Sequence, residues 1–129
     1  MQLLGESYYN RTTNDMVWSQ DNQHLLVGTG FGKTGIVYLW DITTQSRPPT
    51  FEGQIAEVTS VAWSPNGKWW ALGDAEGSVQ IWDASNGQTM RVLEGHTGPI
   101  TSVAWSPDSQ VLVSSSEDGT VRVWGVPSQ

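Results

Sequence analysis

Cysteine is absent from the 129 residues, which excludes disulfide bonds, thiolate metal ligands and thiol nucleophiles. The sequence also lacks any stretch approaching the roughly 20 apolar residues that a transmembrane helix requires. Its first ten residues, MQLLGESYYN, do not show the basic region followed by an apolar region that marks a signal peptide. These absences favour a cytoplasmic protein with no membrane partner.

Basic residues are few, since six Lys and Arg face 13 Asp and Glu, and the net charge is −7. A nucleic-acid-binding protein usually carries a basic patch, so this balance predicts no nucleic-acid partner. Asp15, Asp21, Asp74 and Asp83 are spread over separate turns and do not show the spacing of metal ligands. We therefore expect no metal and no cofactor.

Tryptophan, in contrast, is abundant, and six of the eight tryptophans repeat at a nearly constant interval. Trp40, Trp82 and Trp124 stand 42 positions apart. A second set runs beside the first with almost the same period and consists of Trp18, Trp63 and Trp105. A period of roughly 40–45 residues with tryptophan at a strand end is typical of propeller blades, each of which is one four-stranded sheet.

The hydrophobic residues alternate with a period of two, which predicts strands rather than helices. Asn66-Gly67 and Asp118-Gly119 are tight-turn sequences between such runs. The first copy carries three extra residues near 31–33, and its fourth strand near 49–51 is weak because proline cannot donate to a ladder. In the second and third copies the predicted strands are 59–63, 69–73, 78–82, 88–93, 100–105, 111–114 and 120–124.

The pair Trp69-Trp70 lies within one of these predicted strands. Neighbouring strand residues face opposite sides of a sheet, so the two rings cannot enter the same layer between blades. We expect packing against the adjacent blade on each side to bury both rings. The alternative is that one ring is exposed as a contact site.

Several short motifs, taken together, resemble the WD-repeat β-propeller family. They are Gly95-His96, Ser106-Pro107-Asp108, Asp118-Gly119 and the pairs Trp40-Asp41 and Trp82-Asp83, and the resemblance extends from about residue 14 to 126. It implies an all-β fold of three four-stranded antiparallel blades of the WD-repeat type. Such a set of blades is an open arc unless other blades or chains complete it.

The resemblance also divides the chain into four segments. Residues 1–13 would be an orphan outer strand and a leading segment, 14–53 a divergent blade 1, 54–95 blade 2, and 96–129 the first three strands of blade 3. Three blades are too few for a ring, because propellers close with roughly four to eight. A homo-oligomer could close one, as a dimer with six blades or a trimer with nine. Alternatively, the chain is the C-terminal piece of a longer propeller protein, which the divergent first copy favours.

In the WD-repeat family a His, a Ser or Thr, an Asp and the Trp hydrogen-bond within each blade. The resemblance places this structural network at His96, Ser114 (or Ser116), Asp118 and Trp124. A catalytic triad is the alternative for the first three, but their spacing to Trp124 fits the structural network better. We expect the network to close only in the third copy, because the second has Gln54 and Glu76 at the His and Asp positions and the first has Thr34 at the Asp position.

The resemblance implies a noncatalytic scaffold for a protein or peptide partner. The matched contact positions are Pro99, Thr101 and Glu117 in the third copy, Glu57, Thr59 and Ala75 in the second, and Thr12, Asn14 and Lys33 in the first. Solvated turn residues are the simpler interpretation for at least half of them. A second hypothesis is a propeller enzyme or small-ligand sensor region with a site at the central channel, which only Glu57, Asn14 and Lys33 could approach.

Overall fold

The computed structural model of the protein describes residues 1–3, 11–31, 34–44, 49–51 and 55–125. Within these ranges the chain forms eleven β-strands, and no helix that could span a membrane is found among them. Blade 1 comprises β1 (Thr12–Trp18), β2 (His24–Phe31), β3 (Thr34–Asp41) and β4 (Thr50–Phe51). Blade 2 comprises β5 (Val58–Trp63), β6 (Trp69–Asp74), β7 (Val79–Asp83) and β8 (Gln88–Leu93). Blade 3 comprises β9 (Ile100–Trp105), β10 (Val111–Ser116) and β11 (Val121–Gly125).

Each blade is one antiparallel sheet whose strands pair in chain order, with four strands in blades 1 and 2 and three in the described part of blade 3. This confirms the predicted all-β fold of three blades. Strand β1 begins at Thr12, earlier than the predicted start of blade 1 at residue 14. Met1–Leu3 lie in no strand and residues 4–10 lie outside the described part of the chain, so the outer strand predicted within residues 1–13 stays a prediction.

The turn between the first and second strands has the same hydrogen bonds in all three blades. A serine hydroxyl, at Ser64 in blade 2, donates to the side chain of Asn66 (2.7 Å) and accepts the N–H of Trp69 (3.0 Å). The same side chain of Asn66 also accepts the N–H of Lys68 (3.0 Å). The residue after it has positive φ in every copy, which is why glycine suits this place. The residues of this kind are Asn22, Gly67 and Ser109.

The apolar core lies between the sheets, in two layers. The layer between blades 1 and 2 is formed by Leu26, Val37, Ile55, Val58, Val61, Trp70, Leu72 and Trp82. The layer between blades 2 and 3 is formed by Trp69, Ala71, Val79, Ile81, Ile100, Val103 and Leu112. Trp69 and Trp70 therefore enter opposite layers, which confirms the prediction that both rings are buried.

Trp70 is, with Trp82, one of the two largest fully buried side chains of the first layer. Its ring makes edge contacts with Phe51 of blade 1, at 5.2 Å between centroids, and with Trp63 of its own blade, at 5.7 Å. Aromatic pairs favour this geometry because the positive ring edge meets the negative face. Trp70 thus joins two blades through a contact that neither could make alone.

Replacing Trp70 by alanine should lower the free energy of unfolding by about 3–5 kcal/mol, because the change leaves a cavity in a fully buried layer. The matched replacement Trp18→Ala should cost clearly less, because Trp18 is 52% exposed. Urea unfolding followed by circular dichroism measures both losses. Equal losses for the two variants would contradict the buried position of Trp70.

Candidate functional site

Four polar side chains of blade 3 form a connected set of hydrogen bonds. His96 Nδ1 lies 2.9 Å from Asp118 Oδ2, and His96 Nε2 lies 2.8 Å from Ser114 Oγ. The indole N–H of Trp124 donates to the same Ser114 Oγ at 2.9 Å. All four groups are satisfied when Nδ1–H donates to Asp118 and the serine hydroxyl donates to Nε2. The structure thus brings together the four residues that the sequence placed in one network.

Ser116, the alternative to Ser114 in the sequence, has a different role. Its hydroxyl donates to the carbonyl oxygen of Gly98 (2.8 Å) and accepts the N–H of Asp118 (3.1 Å). Ser116 therefore holds the turn that carries Asp118, whereas Ser114 contacts the histidine ring.

The carboxylate of Asp118 accepts several hydrogen bonds at once. The hydroxyl of Thr120 donates at 2.6 Å, and the backbone N–H groups of Thr97 and Thr120 donate at 2.9 and 2.8 Å. The pKa of Asp118 lies well below its ordinary value of 3.8. The hydrogen bond from the Thr120 hydroxyl lowers it most, the two N–H groups and His96 lower it further, and burial acts in the opposite direction. Asp118 is thus ionised at neutral pH and fixes both the ring of His96 and the turn.

The burial of Ser114 separates this network from a catalytic triad. A triad serine must reach a substrate carbonyl with its Oγ. Ser114 has no exposed surface, and its Oγ is already shared between Trp124 and His96. The geometry therefore supports a structural role for His96, Ser114 and Asp118.

Blade 2 meets the same needs with other residues. Leu72 pairs with Gln80 as Ser114 pairs with Arg122, so a leucine replaces the network serine. The indole N–H of Trp82 donates instead to Gln80 Oε1 at 2.8 Å. The exchange of a serine for an apolar residue agrees with the expectation that the second copy lacks the network.

The sequence placed Glu76 at the aspartate position of blade 2, but a different carboxylate caps this turn. Asp74 Oδ1 accepts the N–H groups of Glu76 and Ser78, both at 2.9 Å. Asp74 ends β6 and is buried, so its shorter side chain reaches the turn from inside while Glu76 is exposed. Gln54, the residue expected in place of the histidine, lies outside the described residues.

The innermost strand of each blade contains one bulged residue near its start. The register of β1, β5 and β9 shifts so that Asn14, Thr59 and Thr101 are left without a partner in the ladder. A bulge redirects the side chain of the extra residue. Here it directs Asn14 and Thr59 towards the neighbouring blade.

These bulges create a two-bond joint at each blade interface. Asn14 Nδ2 donates to the carbonyl oxygen of Val58 at 2.8 Å, and Thr59 Oγ1 donates to that of Ile100 at 2.5 Å. The following residue accepts an N–H from the next innermost strand. Asp15 Oδ2 accepts from Val61 at 2.9 Å, and Ser60 Oγ accepts from Val103 at 3.2 Å. Each joint thus comprises one donating and one accepting side chain.

The sequence contains a signal for the joints that the repeat motifs do not include. Thr59-Ser60 recurs as Thr101-Ser102 within the identical run TSVAWSP. Two adjacent hydroxyl residues at the start of an otherwise apolar strand indicate a polar partner on the neighbouring sheet.

Eight of the nine predicted contact positions occupy one edge of the arc. The ninth, Lys33, lies outside the described residues. The starts of the innermost strands are tied to the turns between the second and third strands, because Ala75 N–H donates to Glu57 O (2.9 Å) and Glu117 N–H donates to Pro99 O (3.0 Å). We call the starts of the innermost strands and these turns the loop edge. Its exposed residues at the predicted positions are Thr12, Asn14, Thr101 and Glu117, and its half-buried ones are Glu57, Thr59, Ala75 and Pro99.

Several of these side chains already have partners in the chain. Asn14 donates to Glu57 Oε2 at 2.9 Å, and Thr101 shares a hydrogen bond of 2.8 Å with Ser115 Oγ. Thr59 and Asn14 also serve the joints. For these positions a role in partner contact stays a prediction, and the same holds for the other residues of the loop edge.

The central-channel hypothesis finds little chemistry in the described residues. Glu57 is the one carboxylate among its three candidates, and its Oε2 accepts from Asn14. No group of three or more His, Cys, Asp or Glu that could hold a metal ion occurs in the ranges that the structure describes.

Comparisons with known families support the assignment that the geometry suggests. A sequence model described as "WD domain, G-beta repeat" matches residues 87–125, and one described as "Anaphase-promoting complex subunit 4 WD40 domain" matches residues 39–101. Together they extend from blade 1 to the end of blade 3. The chain belongs to the WD-repeat family, and its sheets are WD-repeat propeller blades.

Two solved structures share the fold. "Structure of U3-55K" superposes with a TM-score of 0.83 at 23% identity, over 93% of this chain and 38% of that one. "Crystal structure of RRP9 WD40 repeats" gives the same values over 37% of its chain. "Pre-mRNA-processing factor 19" of Oryza sativa subsp. japonica is 38% identical over 53 residues, which are 41% of this chain and 10% of the rice protein. The chain thus spans well under half the length of each of these proteins.

Replacing His96 by alanine should lower the free energy of unfolding by about 1–3 kcal/mol, because buried hydrogen-bonding groups lose their partner. The control His24→Ala removes the other histidine, which is partly exposed beside Asp21 and Asp41, and should cost less. Chemical unfolding of both variants compares the two losses. A larger loss at His24 would contradict the structural role of the network.

Replacing Thr120 by valine removes the strongest influence on the pKa of Asp118, so this pKa should rise towards its ordinary value of 3.8. A carboxyl group with a lowered folded pKa contributes stability that is present above its unfolded pKa and is lost as pH falls through the folded value. In Thr120→Val the pH-dependent stability that Asp118 contributes should therefore be smaller, and its loss on acidification should be complete at a higher pH. Carbon-13 NMR titration of the Asp118 carboxyl group measures the shift, and an unchanged pKa would refute it.

Proposed function

We propose that this chain is a noncatalytic interaction scaffold that binds a protein or peptide at the loop edge. The observation that carries the proposal is that hydrogen bonds hold the backbone of this edge while side chains such as those of Thr12 and Glu117 are exposed on it. The backbone bonds Ala75–Glu57 and Glu117–Pro99 and the two joints hold the loops in place. A rigid surface loses little conformational entropy when it binds a partner.

The charge of the chain favours a partner with basic residues. The net charge is −7, and the loop edge presents the carboxylates of Glu57 and Glu117. Complementary charge accelerates encounter and selects among partners. We therefore favour a basic peptide segment over a nucleic acid. The name of the rice protein describes pre-mRNA processing, but this chain spans only 10% of it and takes no role from that name.

The proposal includes the completion of the propeller. The two end sheets have an uncovered face each, so the scaffold requires further blades, from a longer chain or from other copies of this one. A dimer or a trimer of this chain would supply them with six or nine blades. A cytoplasmic location, in keeping with the lack of cysteine, is also part of the proposal.

A peptide array tests the binding proposal. The array carries basic, neutral and acidic 12-residue peptides, and hits are measured in solution by fluorescence anisotropy. We expect basic peptides to bind, and Glu117→Lys to weaken their binding at least tenfold. The control Gln110→Lys adds a positive charge at an exposed residue in the turn at the opposite edge and should leave affinity within twofold. The proposal fails if no peptide class binds, or if both variants weaken binding equally.

A further inference from the structure

The outer face of blade 3 repeats an interface that already exists within the chain. In blade 2, Val79 and Ile81 are buried against blade 3. Val121 and Val123 occupy the same ladder positions in blade 3, where they are 65% and 69% exposed. We call this face of blade 3, with Val113 and Ser115 beside the two valines, the tail face.

The tail face also carries the two side chains of a joint, with no neighbouring strand for them to bind in the single chain. Thr101 is the bulged residue of β9, and Ser102 follows it, as Thr59 and Ser60 do in β5. Both residues of blade 3 are exposed. In blade 2 this pair donates to a carbonyl oxygen and accepts an N–H of the next innermost strand. Thr101 and Ser102 can therefore receive one more innermost strand in the same register.

Blade 1 presents the complementary surface. The turn residues Asn22 and Gly67 correspond, so Met16 and Trp18 of β1 match Val61 and Trp63 of β5, which pack in the layer between blades 1 and 2. In blade 1 they are uncovered, with Met16 64% and Trp18 52% exposed. We call the side of blade 1 that carries Met16 and Trp18 the head face.

One position of the tail face differs from the two interfaces inside the chain. A Cβ on Gly73 would lie 2.3 Å from Ile100 Cγ2, and one on Gly28 would lie 2.6 Å from Val58 Cγ1. The tail face has Ser115 at this place, since Ser115 pairs with Ser102 as Gly73 pairs with Ser60. Its side chain leaves less room for the residue opposite.

The head face supplies a polar residue at that point. Thr13 precedes the bulge of β1 as Val58 precedes the bulge of β5. Threonine has a hydroxyl and one methyl group where Val58 and Ile100 have alkyl groups only. The pairs Gly28–Val58 and Gly73–Ile100 set a branched side chain against a glycine, whereas Ser115–Thr13 sets two hydroxyl side chains against each other. Because threonine has nearly the shape of valine, the two sheets must lie slightly farther apart here, at a distance at which the two hydroxyls can hydrogen-bond.

From these matches we propose that the tail face of one copy binds the head face of a second copy of this chain. Met16 and Trp18 of the second copy cover Val121 and Val123. Within the single chain the Met16 N–H donates to Asp15 Oδ1 at 2.9 Å; in the contact it donates to Ser102 Oγ instead, as the N–H of Val103 donates to Ser60 Oγ. The contact is head-to-tail, so it repeats until a ring closes. The inference rests on that part of the proposed function in which other blades complete the scaffold, and not on the peptide partner.

Complementary variants test the direction of the contact. Val123→Glu places a charge on the tail face and Met16→Glu places one on the head face, and both sites are exposed in the single chain. We expect the unmodified chain to sediment as two or three copies and each variant alone as a monomer. An equimolar mixture should recover a dimer, because each variant retains the face that the other lacks. Sedimentation velocity gives all four masses.

Three outcomes of this experiment would overturn the proposed contact. The proposal is overturned if the unmodified chain is a monomer at 100 µM, roughly a hundred times a micromolar Kd. It is also overturned if only one variant blocks association, which is the pattern of contact between two tail faces or between two head faces. A mixture that stays monomeric overturns it as well, because the intact tail face and the intact head face then fail to bind each other. Thermal unfolding of both variants must match that of the unmodified chain diluted until it is monomeric, which shows that the substitutions leave the single chain folded. Peptide binding is measured separately, so its failure is distinguishable from a failure of self-association.

A second pair of variants tests the joint itself. Ser102→Ala should weaken self-association about tenfold, the effect of one lost hydrogen bond, without lowering the stability of the single chain. The matched Ser60→Ala removes the equivalent hydroxyl inside the chain and should lower stability while leaving the association constant within twofold. Unchanged association in Ser102→Ala would remove the joint from the proposed interface.

Discussion

Both apolar layers in the described part of the chain lie between two sheets, and none of the three described sheets has a core of its own. Trp70 is buried only because blade 1 brings Phe51 against it, and Ile81 only because blade 3 covers it. The hydrophobic effect therefore stabilises pairs of blades rather than single blades. The two uncovered faces at the ends of the arc follow directly from this dependence.

Polar joints determine how the sheets meet. Apolar layers tolerate sliding, because dispersion and burial have little directionality, whereas a hydrogen bond requires one donor and one acceptor at a set distance. Asn14 and Thr59 reach the neighbouring backbone because each is a bulged residue. Asp15 and Ser60 accept from the same neighbouring strands. The joints thus set the register of the blades and hold the loop edge at which a partner is proposed to bind.

The network of blade 3 and the capping of blade 2 show how one structural need can be met in two ways. The indole N–H of the third-strand tryptophan donates to a side-chain oxygen in both blades, to Ser114 from Trp124 and to Gln80 from Trp82. The turn before the third strand requires a carboxylate, which Asp118 provides in one blade and Asp74 in the other. Glu76 stands at the aspartate position of blade 2 and is exposed, whereas the buried Asp74 reaches the turn, so reach and burial select the carboxylate that caps it.

The sequence by itself determined the strand pattern, the three blades and the residues His96, Ser114, Asp118 and Trp124. Strand period, turn residues and repeat spacing are patterns in the order of the residues, so they can be recognised from the sequence alone. Only the tertiary structure decided which blade covers each face, which hydroxyl reaches a neighbouring strand and which carboxylate caps a turn. These depend on distances between residues about 42 positions apart, such as Ser60 and Val103, and such distances exist only after the sheets have packed.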